Sequence, residues 1–380
     1  MMEYGSLDTS RTQRTLTGSA RLLMALHLDG PLFTALCLIA GIGVTVVFSA
    51  SGRSLVVLEA QIMRFGLAVI AMIMLAQIPP RMIRGATPWV YLLGLALLAV
   101  VMFTGDIAMG AQRWLDLGVV RFQPSEIMKL AVPLACAWYL NERPLPPSLV
   151  SVLVVGLAIL VPTVLIAEQP DLGTALLVAA AGAMVILLAG LPLRFIAAVV
   201  GLLIPTCYVA WQFLLHDYQR QRVLTFLDPQ TDPLGSGYHI IQSQIAIGSG
   251  GMFGKGYLNG SQAQLEFLPE RSTDFIFAVI GEEWGLIGLV TVLALYMFVI
   301  GRSLYLAAES QDTFSRLGAG SLALTFSVYV LVNTGMVTGL LPVVGVPLPL
   351  ISYGGTSMVT LMAGFGILMS LCAKRRLVGH

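Results

Sequence analysis

The segment LPERSTDFIFAVIGEEWG, residues 268–285, gathers charged side chains around a short apolar run. Asp274 stands at the start of that run, and Glu282 and Glu283 stand inside it. A carboxylate at the mouth of an apolar helix can cap the helix. When it is partly desolvated, it can instead accept a proton from a hydroxyl. Two acids on a lipid-facing surface would be costly, so we expect Glu282 and Glu283 to face protein or a cavity.

A second charged pair, Glu126 and Lys129, lies in QPSEIMKLAVPL, where the i, i+3 spacing puts both on one helix face. The pair either supports the helix as an ion pair or faces a functional cavity at membrane depth. Glu168 and Asp171 in EQPDLGT form a further acid cluster. This cluster is either a solvated turn or, with Glu126, a ligand set for a divalent cation such as magnesium or manganese.

Basic residues accompany these acids in the segments between apolar runs. Each alone is an ordinary surface charge, but together they could clamp a pyrophosphate, because the arginine fork fits phosphate oxygens. The set comprises Arg113, Arg121, Arg220, Arg222, Lys255 and Arg271. GSGGMFGKG, residues 248–256, looks like a phosphate loop, but Lys255 is followed by Gly256 instead of Ser or Thr. We therefore interpret it as a turn and expect no nucleotide cofactor.

The elements that position these residues are apolar. Hydrophobic residues make up 57% of the chain, charged residues only 11%, and the mean hydropathy is +0.86, which excludes an ordinary soluble domain. Apolar runs of bilayer length predict an all-α polytopic membrane protein with ten transmembrane helices. The predicted spans are residues 31–50, 59–78, 88–104, 124–140, 148–167, 173–190, 194–215, 274–301, 316–340 and 354–373.

Lys and Arg cluster in one set of short loops, which predicts that both termini are cytoplasmic. We assign residues 1–25 to a cytoplasmic tail and 26–380 to a single membrane domain. An outward loop, residues 216–273, joins the seventh and eighth helices, and its length suggests a function. His216 and His239 in this loop are interpreted as polar surface residues. The four cysteines stand singly in apolar runs and are interpreted as buried apolar residues.

GLLPVVGVPLPLISYGGTS, residues 339–357, is apolar but so rich in Gly and Pro that it cannot form a regular helix. Broken backbone at membrane depth is tolerated only against protein or a water-filled cavity. From Asn333 onward the order of residues resembles the signature of the SEDS family (shape, elongation, division and sporulation). FQPSEIMK, EQPDLGT and LEFLPERSTDFIFAVIGEEWG fit the same family in the same order, and the resemblance covers the chain beyond the N-terminal tail.

This resemblance implies a peptidoglycan glycosyltransferase that polymerises lipid II, with inversion, at the outer face of a bacterial inner membrane. It implies a class B penicillin-binding protein as partner, with MreC and MreD nearby. The long loop looks most like the elongation branch of the family. The family's essential acid falls on Asp274, and its functional Glu and Lys fall on Glu126 and Lys129. Candidate substrate-binding residues in the signature are Ser352, Gly354 and Gly355.

Two other function classes remain open at this stage. Discontinuous helices and intramembrane acids are also typical of carriers, and a lipid II flippase is the specific alternative. A non-catalytic scaffold for cell-wall enzymes is the other, and it predicts that Asp274 is replaceable.

Overall fold

The structure is a computed structural model that describes residues 26–373, apart from 105, 109–110, 117–120, 192–200, 202–204, 206–207, 215–216, 229, 231–235, 266 and 269. Helices dominate it. They are α1 Gly30–Ala50, α2 Leu55–Gln77, α3 Pro80–Thr104, α4 Pro124–Asn141, α5 Leu149–Glu168, α6 Leu172–Leu188, α7 Asp217–Leu227, α8 Ser236–Gly250, α9 Ser261–Gln264, α10 Ile276–Ala308, α11 Thr313–Val337 and α12 Thr356–Cys372, with a short π-helix at Ala210–Leu214.

Within the described residues, helices occupy nine of the ten predicted spans. The seventh, 194–215, lies largely outside that part of the chain, so the count of ten stays a prediction. Six of the helices are long and apolar enough to cross a membrane. Helices α2, α3 and α5 expose at least half of their large apolar side chains, whereas α11 is mostly buried. Apolar surface on this scale indicates contact with lipid around a central α11.

A small sheet departs from the purely helical prediction. Strands β1 Asp106–Ala108, β2 Ala111–Asp116 and β3 Arg121–Phe122 pair antiparallel in the order β1-β2-β3. They lie in the polar segment between α3 and α4, where we predicted no strand. Runs of two to six residues carry too little pattern to be found by periodicity.

Helix α10 is not the single regular span predicted for 274–301. Gly285 has φ 67° and ψ −162°, which breaks the helix two residues after Glu283. The break frees backbone groups, and the turn 250–256 satisfies them. Lys255 N donates to Glu282 O, Gly256 N donates to Glu283 O, and Leu286 N donates to Gly251 O. Buried backbone groups need such partners, so this turn completes the broken helix.

The Gly- and Pro-rich segment after α11 is irregular, as predicted, and runs from Gly339 to Gly355 before α12 begins at Thr356. It packs against the turn before α10. Tyr353 N donates to Ser272 O at 2.8 Å, and the Ser352 hydroxyl donates to Thr273 O. The two irregular segments therefore support one another, which gives both a fixed position.

Candidate functional site

Glu126 and Lys129 form an ion pair in the first turns of α4, with Lys129 Nζ 2.7 Å from Glu126 Oε1. Both side chains are buried, and Lys129 Nζ lies 5.4 Å from the centre of the Tyr329 ring on α11. The pair therefore forms the ion pair that the spacing predicted, and it faces the protein interior. Within the described residues Glu126 Oε2 has no hydrogen-bond partner. A buried carboxylate oxygen left in this state can accept a proton donor from a ligand.

Asp171 is the N-cap of α6 and is buried, not a solvated turn residue. Its Oδ1 accepts from Thr174 N at 3.2 Å, and its Oδ2 accepts from Gln123 Nε2 at 3.0 Å. Arg113 Nη1 lies 3.6 Å from Asp171 Oδ1, and its Nη2 donates to Pro170 O. Asp171 thus links α6 to the residue that precedes α4. Its neighbour Glu168 is exposed.

The predicted cation ligands Glu126 and Asp171 both have partners in the protein. No three His, Cys, Asp or Glu residues stand close enough to hold a metal ion in the part of the chain that the structure describes. Glu126 Oε1 contacts Lys129 while its Oε2 has no partner among the described residues, and Asp171 contacts Gln123, Arg113 and its own helix. A divalent cation held by Glu126 and Asp171 therefore stays a prediction.

Asp274 lies in the turn that precedes α10 and is half-buried. The N-cap residue of α10 is Phe275, so Asp274 does not occupy the capping position that its sequence suggested. Its backbone carbonyl accepts from Asn333 Nδ2 at 2.9 Å, and the same amide group donates to Val346 O at 2.7 Å. Gly345 has φ +74°, and a Cβ there would stand 3.5 Å from Asp274 Oδ2. The carboxylate therefore faces the irregular segment 339–355.

Glu282 and Glu283 face protein, as predicted, with exposed fractions of 0% and 2%. Glu282 Oε1 accepts from Lys255 Nζ at 2.7 Å and from Gln262 N at 2.9 Å. Glu283 Oε1 accepts from the hydroxyl of Ser49 on α1. The two acids thus fasten the loop 250–264 to α10 and α1. Lys255 forms an ion pair with Glu282, and its predicted contact with substrate stays a prediction.

One more contact fixes the same loop. The Tyr257 hydroxyl donates to Thr45 O at 2.9 Å. Burial and the nearby Glu283 carboxylate raise the pKa of Tyr257, so the hydroxyl keeps its proton and stays a donor at neutral pH.

The remaining predicted residues are dispersed. Arg271 is half-buried in the turn before Asp274, and Arg220 Nη2 on α7 donates to Gln212 O. The side chains of Arg121 and Arg222 lie outside the described part of the structure. Ser352, Gly354 and Gly355 lie together in the irregular segment before α12. Arg113 contacts Asp171, Arg220 contacts Gln212 and Lys255 contacts Glu282. Two of the six side chains are not described, so the clamp stays a prediction.

Four residues near the site escaped the sequence analysis or were underrated. Gln123 holds Asp171, Tyr329 covers Lys129, and Asn333 holds the backbone of Asp274. His239 lies on α8, where its ring stacks on Phe275 at 5.7 Å, so it is not a loop surface residue. A polar residue inside an apolar helix is a visible signal, and it could have drawn attention to Tyr329 and Asn333.

Comparison with known proteins assigns this arrangement to a family. A family model described as "Cell cycle protein", that of FtsW, RodA and SpoVE, matches residues 30–377. The chain belongs to the SEDS family. The peptidoglycan glycosyltransferase MrdB of Escherichia coli K12 is 53% identical over 352 residues, which cover 93% of this chain and 95% of that relative. The peptidoglycan glycosyltransferase RodA of Treponema pallidum is 33% identical over 73% of this chain and 81% of its own.

Solved SEDS structures share the fold. A chain from a peptidoglycan synthase complex superposes with a TM-score of 0.81 at 34% identity, covering 92% of this chain and 98% of that one. The RodA crystal structure from Thermus thermophilus gives a TM-score of 0.70 at 30% identity, covering 92% and 97%. The polytopic SEDS fold expected from the sequence is confirmed.

Proposed function

We propose that this peptidoglycan glycosyltransferase of the SEDS family polymerises lipid II with Asp274 as the general base. The observation that carries the proposal is on α11. Tyr329 lies over Lys129, and Asn333, four residues later, donates to the backbone of Asp274. Residues four apart share a helix face, so α11 brings the buried ion pair and the acid to one side of the bundle.

The chemistry needs a base because the attacking group is a sugar hydroxyl. As the hydroxyl oxygen attacks the anomeric carbon, Asp274 accepts its proton, and the bond from that carbon to the pyrophosphate oxygen breaks. The lipid pyrophosphate leaves, and in-line attack inverts the anomeric configuration. The fixed turn holds Asp274, and a positioned proton acceptor typically contributes about 10²–10⁴-fold to the rate.

The departing pyrophosphate must be stabilised by positive charge. Lys129 is the buried cation on the same side of the bundle, and Glu126 holds it in place with a 2.7 Å contact. Arg113 is a further cation, only partly engaged by Asp171 at 3.6 Å. No group of three described carboxylates could hold a metal ion, so the proposal assigns the cation to the substrate and not to a protein site. A magnesium or manganese ion would instead arrive with the pyrophosphate oxygens.

The protein is proposed to act at the outer face of a bacterial inner membrane, with both termini in the cytoplasm. Its partner would be a class B penicillin-binding protein, whose transpeptidase would crosslink the strands that this chain makes, with MreC and MreD in the same elongation complex. A similar chain in a peptidoglycan synthase complex supports the first partner. The single-span partner is expected to raise the polymerisation rate.

The deciding experiment is polymerisation of lipid II by the purified chain, alone and with its partner, visualised as glycan strands on a gel. Strand formation that is lost with Asp274→Asn supports the proposal. Lipid II translocation across vesicles without strand formation would favour the flippase alternative. Normal strand formation by the Asn variant would leave a role for Asp274 in structure alone.

A further inference from the structure

An arginine lies inside a helix that otherwise reads as a membrane span. Arg64 is the tenth residue of α2, about 14 Å along the helix from its first residue at a rise of 1.5 Å per residue. Helix α2 begins shortly after the C-terminal end of α1, where Ser49 contacts Glu283. This is the side of the protein that carries the loop 250–264, and Arg64 lies below the surface on this side. A charge at such depth is costly, and it is normally paired or faces a cavity.

Arg64 is half-buried and packs against an aromatic ring. Its guanidinium carbon lies 4.4 Å from the centre of the Tyr353 ring. Among the described residues, no carboxylate lies within 4 Å of it, and no hydrogen bond engages its nitrogens. The ring covers one face of the guanidinium, and the five N–H donors point outward in its plane. The cation therefore keeps its donors for another group.

The surroundings of Arg64 favour an anion. A Cβ on Gly355 would stand 3.5 Å from Arg64 Nε, whereas Gly354 beside it adjoins open space. Helix α12 starts at Thr356 with no acid in its first turn and no side-chain cap, so its free N–H groups add partial positive charge. Gln61 is fully buried and donates through Nε2 to Ser352 O. Its Oε1 has no partner among the residues that the structure describes. A buried acceptor in this state can take a hydrogen bond from a bound ligand or from a water.

We propose that Arg64, the loop 352–355 and the first turn of α12 bind the phosphate groups of a lipid-linked pyrophosphate. This inference rests on the proposed function and locates the leaving group. Tyr353, which carries the guanidinium on its ring, donates its backbone N–H to Ser272, two residues before Asp274. The Tyr353–Ser272 hydrogen bond therefore connects the proposed phosphate site to the turn that carries Asp274. The Gln61 oxygen would accept from a protonated phosphate oxygen or from a bridging water.

The shared chemistry is a pyrophosphate, which can be lipid-linked or free, and the probes separate the two sources. The purified full-length protein in detergent is titrated with undecaprenyl pyrophosphate, with undecaprenol, which lacks phosphate, and with inorganic pyrophosphate. Each titration compares the unmodified chain with Arg64→Gln and Arg64→Lys. The matched control is Arg53→Gln, which removes an exposed arginine just before α2.

Arg64→Gln should weaken undecaprenyl pyrophosphate binding about tenfold or more, as expected for a lost bond to a charged group. Undecaprenol binding should be unchanged, and Arg53→Gln should match the unmodified chain. Arg64→Lys should fall between, because an ammonium keeps the charge but loses the fork. An equal loss of affinity for inorganic pyrophosphate would show that the site binds the phosphate groups alone. A loss of affinity confined to undecaprenyl pyrophosphate would show that the site binds the lipid and the phosphate groups together.

Affinity of Arg64→Gln for undecaprenyl pyrophosphate within twofold of the unmodified chain overturns the inference. If Arg64→Gln cannot be purified in a folded state, the same titration is carried out with Arg64→Lys. An unchanged affinity in Arg64→Lys would then overturn the inference. These measurements need no turnover. Arg64-dependent binding without strand formation therefore contradicts only the proposed function, whereas normal strand formation with unchanged binding in Arg64→Gln contradicts only the phosphate site.

Discussion

Tyr329 and Asn333 lie one turn apart on α11, and each contacts a different part of the candidate site. Tyr329 covers the Lys129 ammonium at 5.4 Å, and the Asn333 amide donates to the carbonyls of Asp274 and Val346. A single rigid helix face therefore sets the position of the buried ion pair relative to the acid. Sites built on helices keep their geometry better than sites built on loops alone.

The first prediction concerns the base. Asp274→Asn keeps the shape of the side chain but cannot accept a proton, so polymerisation should fall by at least about a hundredfold. The melting temperature and the affinity for lipid II should stay near those of the unmodified chain. The control is Glu309→Gln, an exposed acid at the other end of α10. A gel assay and a melting curve on one preparation test this, and near-normal strand synthesis by the Asn variant would contradict it.

The second prediction uses the buried ion pair as a double-mutant cycle. Lys129→Met leaves the Glu126 carboxylate buried without its partner, which should lower the free energy of unfolding by about 3–5 kcal/mol. The double variant Glu126→Gln with Lys129→Met removes both charges and should recover most of that stability. Polymerisation should stay lost in both. If the double variant regains activity together with stability, the pair has only a structural role.

The third prediction compares the stability cost of alanine at Gly285, where α10 breaks, with its cost at a glycine inside a regular helix. Gly285→Ala places a Cβ against Met252 and Gly254 at a φ of +67°, so it should destabilise the protein by about 1–3 kcal/mol or more. Gly41→Ala is the control, because that helical position is open and alanine favours helix. Thermal unfolding of both variants measures the difference. Equal melting temperatures would mean that the turn 250–256 yields to the added methyl group.

The fourth prediction concerns a divalent cation. If magnesium or manganese accompanies the pyrophosphate instead of a protein site, chelation should lower turnover. Asp171→Asn should leave the magnesium concentration for half-maximal activity unchanged, since Asn still caps α6 by accepting from Thr174 N. Steady-state rates over a magnesium titration give the answer. A large shift in the half-maximal concentration would make Asp171 a ligand after all.

The fifth prediction tests the orientation in the membrane. In a cysteine-free background, Phe253→Cys in the loop 250–264 should react with an impermeant thiol reagent added outside the cell. Gln311→Cys, between α10 and α11, should react only when the membrane is opened. Both positions are exposed, so access through the membrane is the only variable. The reverse pattern would invert the topology and move the site to the cytoplasmic face.

The sequence by itself determined the class of the molecule. Apolar runs of bilayer length leave a chain few alternatives to membrane helices, because an unsatisfied backbone in lipid is costly. Prolines and glycines predicted that 339–357 is not a regular helix, because proline lacks the N–H that a helix needs. The cost of acids in lipid predicted that Glu282 and Glu283 face protein. The signature residues then indicated the family, and Asp274 came with it as a candidate.

Only the tertiary structure decided which charges meet. Lys255 and Glu282 are 27 residues apart and Gln123 and Asp171 are 48 apart, and no periodicity within one helix reports such pairs. The break at Gly285 was invisible for a related reason: the chain tolerates it only because the distant turn 250–256 supplies hydrogen bonds. Arg64 is visible in the sequence as a charged residue inside the apolar span 59–78. Its significance emerged only when packing placed it over Tyr353 with no carboxylate beside it in the described chain, since charge compensation is a property of neighbours in space.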